Sequence, residues 1–428
     1  MRVIADLHIH SRFSRATSEK MNIQEITRFA QIKGLNLVGT GDFTHPRWCK
    51  EVEDELVEIT DAGLLRPTKH TGSPIQYMIT GEVSTVFTFE GHVKKIHHLI
   101  LVPDLKTAAW INERLAPYGD LSVDGRPTLE MTAPQLVEEV MQVSDKNVVI
   151  PAHAWTPWFS LFGAFSGFDR ITDCYQDMAK HIHALETGLS SDPPMNWRLS
   201  SLDKYTLVSN SDCHSPWPWR IGREANVFEL KQLTYDEVID TLRQKDEHRL
   251  KFTIETNPAY GKYHWTGHRN CNISLSPQEA AKFGNYCPVC RRKLTKGVEH
   301  RIEELADRPI GFEPKRTPGY IHLLPLHDII AAILEVSYQG ARRVWEIYDK
   351  LVAEFGNEYT VLMDASHDEM SRIVDPTLAE AIIRVREGRV KIIPGYDGVY
   401  GQLLLFEEDT KRENRPETVD QRSIAEFM

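Results

Sequence analysis

Val3-Ile4-Ala5-Asp6-Leu7-His8-Ile9-His10 is the stretch on which the reading of this chain turns. Its aliphatic residues alternate with Asp6, His8 and His10, so on a strand the three polar side chains leave the same face. A soluble core gains nothing from them, since burying an unpaired charge costs on the order of several kcal/mol. Bound cations would offset that cost. Outward from this stretch, the runs Leu35 to Asp42, Tyr77 to Glu82, His97 to Val102, Val148 to His153, Ala184 to Glu186 and Leu207 to His214 end in comparable groups, each followed by a helix-like segment. The pattern predicts an α/β fold whose first unit, residues 1–250, is a distorted seven-stranded (β/α) barrel with its chemistry at the C-terminal strand ends.

Eight nitrogen or oxygen donors then become candidate metal ligands: His8, His10, Asp42, Glu82, His98, His153, Asp212 and His214. With no thiolate among them, the set suits two or three divalent ions, zinc, manganese or magnesium, and a Glu such as Glu82 can bridge two of them. Clustered divalent ions favour phosphoester hydrolysis, because they activate water at neutral pH and neutralise charge on the phosphate. Asp212, Glu82 and His8 are the candidate catalytic residues.

The formal charge of -11 argues against a general nucleic-acid coat, yet the segment from Lys251 to Arg301 is locally basic. Within this second unit, 251–312, His268-x-x-Cys271 and Cys287-x-x-Cys290 have the spacing of a structural zinc site. His300 or His264 would serve in place of His268 as the fourth ligand. The clustered cysteines suit a reducing compartment and hence a cytoplasmic protein, and no apolar run approaches the roughly 18 residues of a membrane span. From 313 to 400, apolar residues recur at three and four positions, predicting a helical bundle; Asp375 and Pro376 mark a helix entry. Residues 401–428 read as a flexible tail. Its final residues, with Gln421, Ile424, Phe427 and Met428, resemble a sliding-clamp-binding peptide.

An aromatic loop follows His153. Trp155, Trp158, Phe159 and Phe162, with Trp217 beyond His214, are candidates for stacking on or wedging between bases. Arg15, Lys262, Arg269, Arg291 and Arg292 are the candidate phosphate contacts.

These motifs, in this order, resemble the polymerase and histidinol phosphatase superfamily. Two departures stand out: Thr40-Gly41-Asp42 where many members have Thr-Asp-His, and Phe13-Ser14-Arg15 where some carry a further histidine, with His45 and His97 as possible substitutes. The resemblance narrows to the endonuclease Q family through Asp6 to Ser11, Gly39 to Asp42, Pro151 to Trp158, Gly267 to Cys271 and His300 to Arg308. It implies hydrolysis of the phosphodiester 5′ to hypoxanthine, uracil, xanthine or an abasic site in double- or single-stranded DNA, with the damaged nucleotide flipped out. Two rivals remain: a small-molecule phosphate monoesterase of the histidinol phosphatase type, and a noncatalytic DNA-binding adaptor.

Overall fold

The structure is a computed structural model and describes residues 1–69 and 72–406. Strand Arg2–Asp6, whose Val3, Ile4 and Ala5 are buried, lies between Leu37–Gly39, to which it is parallel, and Ala225–Glu229, to which it is antiparallel. Beyond Leu37–Gly39 comes a long hairpin, Gln76–Phe89 with His92–Val102, paired in unbroken register from Ile79 opposite Val102 to Phe89 opposite His92. Val148–Pro151 adds to its far side, also antiparallel. Helices cover the sheet, each begun by a side-chain cap where one is available: Asn22 accepts from Glu25 N to start Ile23–Lys33, and Thr132 with Gln135 forms a reciprocal box ahead of Ala133–Val143.

The expected closed barrel is corrected by the hydrogen bonds. Among the described residues the strands form an open, mixed 11-stranded sheet, while Ala184–Glu186 and Thr206–Val208 pair in parallel as a separate two-stranded sheet. Those two strands are three residues long and spend their ladder on each other. Their links to the large sheet are isolated ones, such as Ala154 N to Glu186 O at 2.9 Å and Leu7 N to Asn210 Oδ1 at 2.8 Å. One apolar cluster, containing Val3, Leu37, Leu99, Val148, Ala184 and Val208, nevertheless joins both sheets.

Leu250–Glu255 pairs with Ala225–Glu229, and Gly319–His322 pairs in turn with Leu250–Glu255, so the large sheet runs across the boundary expected at residue 250. The helices Leu326–Ile333, Arg342–Phe355, His367–Ser371 and Pro376–Arg386 follow. Asp375 caps the last of these from its side chain, and Leu378, Ala381, Ile382 and Val385 are buried beneath it. Gln402–Leu404 pairs with Lys391–Ile393, so the segment read as a tail begins as a strand. Gln421, Ile424, Phe427 and Met428 lie outside the described residues. No described helix is long and apolar enough to cross a membrane.

The turn that follows Leu37–Gly39 depends on Gly41. Its φ is +67°, and a Cβ there would stand 2.3 Å from the Ile9 carbonyl oxygen. Gly41→Ala is expected to lower the unfolding free energy by at least about 1–2 kcal/mol from the left-handed backbone alone, read as an earlier midpoint in denaturant.

Candidate metal centre and its cleft

Two groups of donors, buried except for the half-buried Asp212, share one carboxylate. His8, His10, Glu82 and Asp212 form the first, Glu82, His97 and His153 the second, and within each group the ligand atoms lie within 4.8 Å of one another. Glu82 spans them: Oε2 is 3.2 Å from His10 Nε2 and 3.6 Å from His8 Nε2, while Oε1 is 2.9 Å from His97 Nδ1 and 3.0 Å from His153 Nε2. His10 Nε2 is also 3.0 Å from Asp212 Oδ1.

The imidazoles are aimed by carboxylates behind them. His8 Nδ1 lies 3.0 Å from both oxygens of Glu186, and His10 Nδ1 lies 3.0 Å from Asp42 Oδ1. A carboxylate there requires Nδ1–H to donate, which leaves Nε2 as the lone-pair nitrogen facing the site. His8 Nε2, His10 Nε2 and Asp212 Oδ1 are buried and make no properly directed hydrogen bond among the described residues. Orphaned lone pairs on borderline nitrogen and hard oxygen donors are what divalent ions such as zinc or manganese take up, so the residues fit the ions that the sequence implies.

Asp42 and His98, both expected as ligands, are not brought into either group. Asp42 Oδ2 is taken by Ser11 N, Ser11 Oγ and Ser14 Oγ at 2.6, 2.6 and 2.9 Å, so this carboxylate orients His10 instead. His98 sits opposite Val83 in the hairpin and faces away: Thr85 Oγ1 and Tyr175 OH are each 2.9 Å from its ring nitrogens. Its neighbour His97, opposite Ser84, takes the inward place. His214 stands beside the first group with its ring 4.6 Å from that of His10, and donates Nδ1–H to the Asp212 carbonyl at 2.9 Å. His45 is engaged elsewhere, 3.0 Å from the Ser122 carbonyl.

Three non-glycine residues at the site, Asp42, His153 and Asp212, hold φ of 49°, 31° and 47°. Such strain persists only where the surroundings over-determine it. Sequence reasoning passed over two contributors. Glu186 ends a recognised strand and, besides His8, accepts His153 N at 2.7 Å. Arg126, 3.1 Å from Glu82 Oε2, comes from a loop with no periodic signal.

A cleft of about 1030 Å3 opens from His97, His153, Asp212 and His214. Arg126, Trp158, Phe159, Arg220, Lys262 and Tyr263 line it, as do Leu324, Pro325 and Asp328. Trp158 is 39% exposed, stacked 4.9 Å from Phe165, and Phe159 lies 4.9 Å from His97. Trp155 and Phe162 are not available to bases: both are buried, packed together at 4.6 Å, and Trp155 Nε1 donates to Asn196 Oδ1 at 2.8 Å. Trp217 is part-buried, stacked on Trp219. Arg15 is exposed, and only its backbone N–H is bonded, to Asp124.

A third donor group, His268, Cys271, Cys287 and Cys290, assembles in the basic segment. The hairpin Thr266–His268 with Ile273–Leu275 presents the first pair, and a tight turn, Cys287 N to Arg292 O at 2.8 Å, presents the second. His268 Nδ1 is 3.4 Å from Cys290 Sγ, whereas His300 and His264 are directed at Thr266 and Glu299. Burial would raise the Cys287 thiol, but amides of Cys290 and Val289 bring it down to about 6, which favours the thiolate a zinc ion needs. Arg269, Arg291 and Arg292 are exposed around this group.

Comparison with known proteins places the chain among relatives. Residues 325–389 match the family described as the MJ0043 C-terminal domain. The chain is 34% identical over 253 residues to Uncharacterized protein MJ0043 of Methanocaldococcus jannaschii, a match covering 59% of this chain but 31% of that longer protein. Over 99% of its length it superimposes on all of the crystal structure of the lesion-specific endonuclease PfuEndoQ from Pyrococcus furiosus, with a TM-score of 0.85 and 32% identity. Endonuclease Q in complex with a 27-mer duplex substrate with an abasic lesion at the active site aligns with a TM-score of 0.83 and 33% identity, over 95% of this chain and 98% of that one.

Two outcomes follow from this geometry. Burial alone would depress the His8 and His10 pKa values, but Glu186 and Glu82 beside His8, and Asp42 and Asp212 beside His10, hold both well above the ordinary value. An ion binding at Nε2 therefore competes with a proton for each ring. Adding Mn2+ to chelated protein at pH 7 should release on the order of one proton per ring into weakly buffered solution, with affinity rising as pH rises. Phe162→Ala should cost about 3–5 kcal/mol of stability in denaturant titration. Trp158→Ala should stay within about 0.5 kcal/mol of the parent.

Proposed function

Because the chain belongs to the endonuclease Q family, we propose that it is a metal-dependent DNA repair endonuclease that hydrolyses the phosphodiester 5′ to a deaminated base or an abasic site. The observation that supports this reading most is the shared carboxylate. Glu82 joins two donor groups whose members His97, His153 and Asp212 line a cleft together with Trp158, Phe159, Lys262 and Asp328. Ions bound there would supply Lewis-acid activation of water and charge neutralisation of the scissile phosphate.

The chain's own residues carry the rest. Asp212 is held well below the ordinary carboxylate range, because His10 and His8 outweigh the opposing effect of burial. It stays ionised, and its free Oδ1 orients the attacking water. Glu82 holds the two donor groups in register, and Arg126 at 3.1 Å balances its charge. Trp158 and Phe159 offer ring faces to unstacked bases, and Lys262, Arg269, Arg291 and Arg292 contact the flanking backbone. A deaminated base in a mispair, or a missing one, costs less to extrude than a paired base, which supplies part of the selectivity. A phosphate monoester would fill only a corner of so long a cleft.

The test uses end-labelled duplexes bearing inosine, uracil, an abasic site or no lesion. A single cut directly 5′ to the lesion is expected, lost with chelator and reduced by at least about a hundredfold in Asp212→Ala and His8→Ala. Equal nicking of the undamaged duplex would defeat the lesion reading, and turnover of simple phosphate monoesters alone would favour the phosphatase.

A further inference from the structure

The segment from Asp212 to Arg223 is tied down from two sides. Below it, the Asp6 carboxylate accepts Ser211 N at 3.0 Å and Gly222 N at 2.9 Å, while the Arg223 guanidinium donates to Ser211 O at 3.1 and 2.8 Å. The two ends of the segment are thereby closed on each other. Above it stands the helical unit. Trp219 packs against His327 at 4.8 Å and Trp345 at 5.8 Å, and Tyr359 OH donates to the Gly222 carbonyl. Lys33, whose side chain is 1% exposed, donates to the Pro218 carbonyl at 2.8 Å and pairs at 2.7 Å with Glu358 Oε1. Glu358 in turn accepts Leu326 N and Tyr348 OH, each at 2.9 Å.

A buried Lys–Glu pair is a poor source of stability, because desolvating both charges takes back most of their attraction. Here the pair does something more specific. It fixes an ammonium whose backbone partner is the carbonyl of Pro218, midway along the segment that leaves Asp212 and His214. Asp212 itself sits at φ 47°, a conformation that its surroundings must enforce.

We propose that Glu358 and Tyr359 are positioning residues for Asp212. The helical unit, through Lys33 at Pro218 and through the tyrosine hydroxyl at Gly222, holds the segment 217–222 in place and so keeps Asp212 Oδ1 3.0 Å from His10 Nε2. The helices matched by the MJ0043 C-terminal family are on this view part of the metal centre as well as of the cleft wall. The inference rests on the donor cluster binding ions and is independent of which lesion is cut.

The test measures Mn2+ binding to the full chain, cleared of weakly held ions, by electron paramagnetic resonance, with no DNA present. Tyr359→Phe removes one oxygen, and Glu358→Gln removes the charge that holds Lys33. Each should weaken Mn2+ binding by about tenfold or more, and each should lower kcat for incision while leaving KM for DNA unchanged. Val344→Ala trims the core of the same bundle without touching the segment and should keep the parent's Mn2+ affinity. Unchanged affinity in Tyr359→Phe overturns the proposal. So does a loss in Val344→Ala as large as in Tyr359→Phe, which would mean that any loosening of the bundle suffices. If Glu358→Gln fails to fold, Tyr359→Phe decides alone. A parent chain that binds Mn2+ tightly yet cuts no lesion would sink the lesion reading and leave this inference standing.

Discussion

Three buried atoms without a proper hydrogen-bond partner, His8 Nε2, His10 Nε2 and Asp212 Oδ1, stand beside the one carboxylate of Glu82. A buried polar atom left unpaired costs about 1–3 kcal/mol, and a fold that tolerates three of them in one place has put them there for a ligand. Much of the local structure serves that arrangement. Glu186 and Asp42 choose the tautomers, left-handed turns at Asp42, His153 and Asp212 bring the strand ends inward, and the glycine at 41 lets one turn pass against Ile9.

What was legible in the sequence followed the strand period. His8 and His10 were readable because side chains two apart share a face, and Glu82, His153 and Asp212 because they stand at the ends of apolar strand-like runs. It failed at His97 and His98, where both candidates are adjacent. There the face is decided by register in an antiparallel hairpin, with His97 opposite Ser84 and His98 opposite Val83, and a register is a tertiary fact. Asp42 was read as close to the ions; its bond to the far nitrogen of His10 depends on the turn at Gly41, which composition does not reveal. The closed barrel was an inference from alternation, but alternation does not say whether short strands bond to the sheet or to each other, as Ala184–Glu186 and Thr206–Val208 do. In the loop after His153 the aromatics follow no period, so nothing separated the buried Trp155 and Phe162 from the exposed Trp158. The closeness of His268, Cys271, Cys287 and Cys290 was legible from their knuckle spacing. The choice among three histidines waited on the hairpin that sets His268 opposite Ile273.

A chain with a formal charge of -11 that is to hold a polyanion must concentrate positive charge where it counts. Exposed charges more than about 10 Å apart are largely screened at ordinary salt, so the acidic remainder of the surface matters little at the cleft itself. Inside it, Arg126 answers only one of the carboxylates Glu82, Asp212, Glu186 and Asp42, and two divalent ions on the six donors would be what turns the centre from anionic to weakly cationic. Lys262 in the cleft and the exposed arginines around the cysteine cluster would add to that field. On the proposed reading, phosphate would be held chiefly by a few near charges in a low-dielectric wall. Binding of this kind has a shallow dependence on salt, since that slope counts neutralised phosphates and not the net charge of the protein.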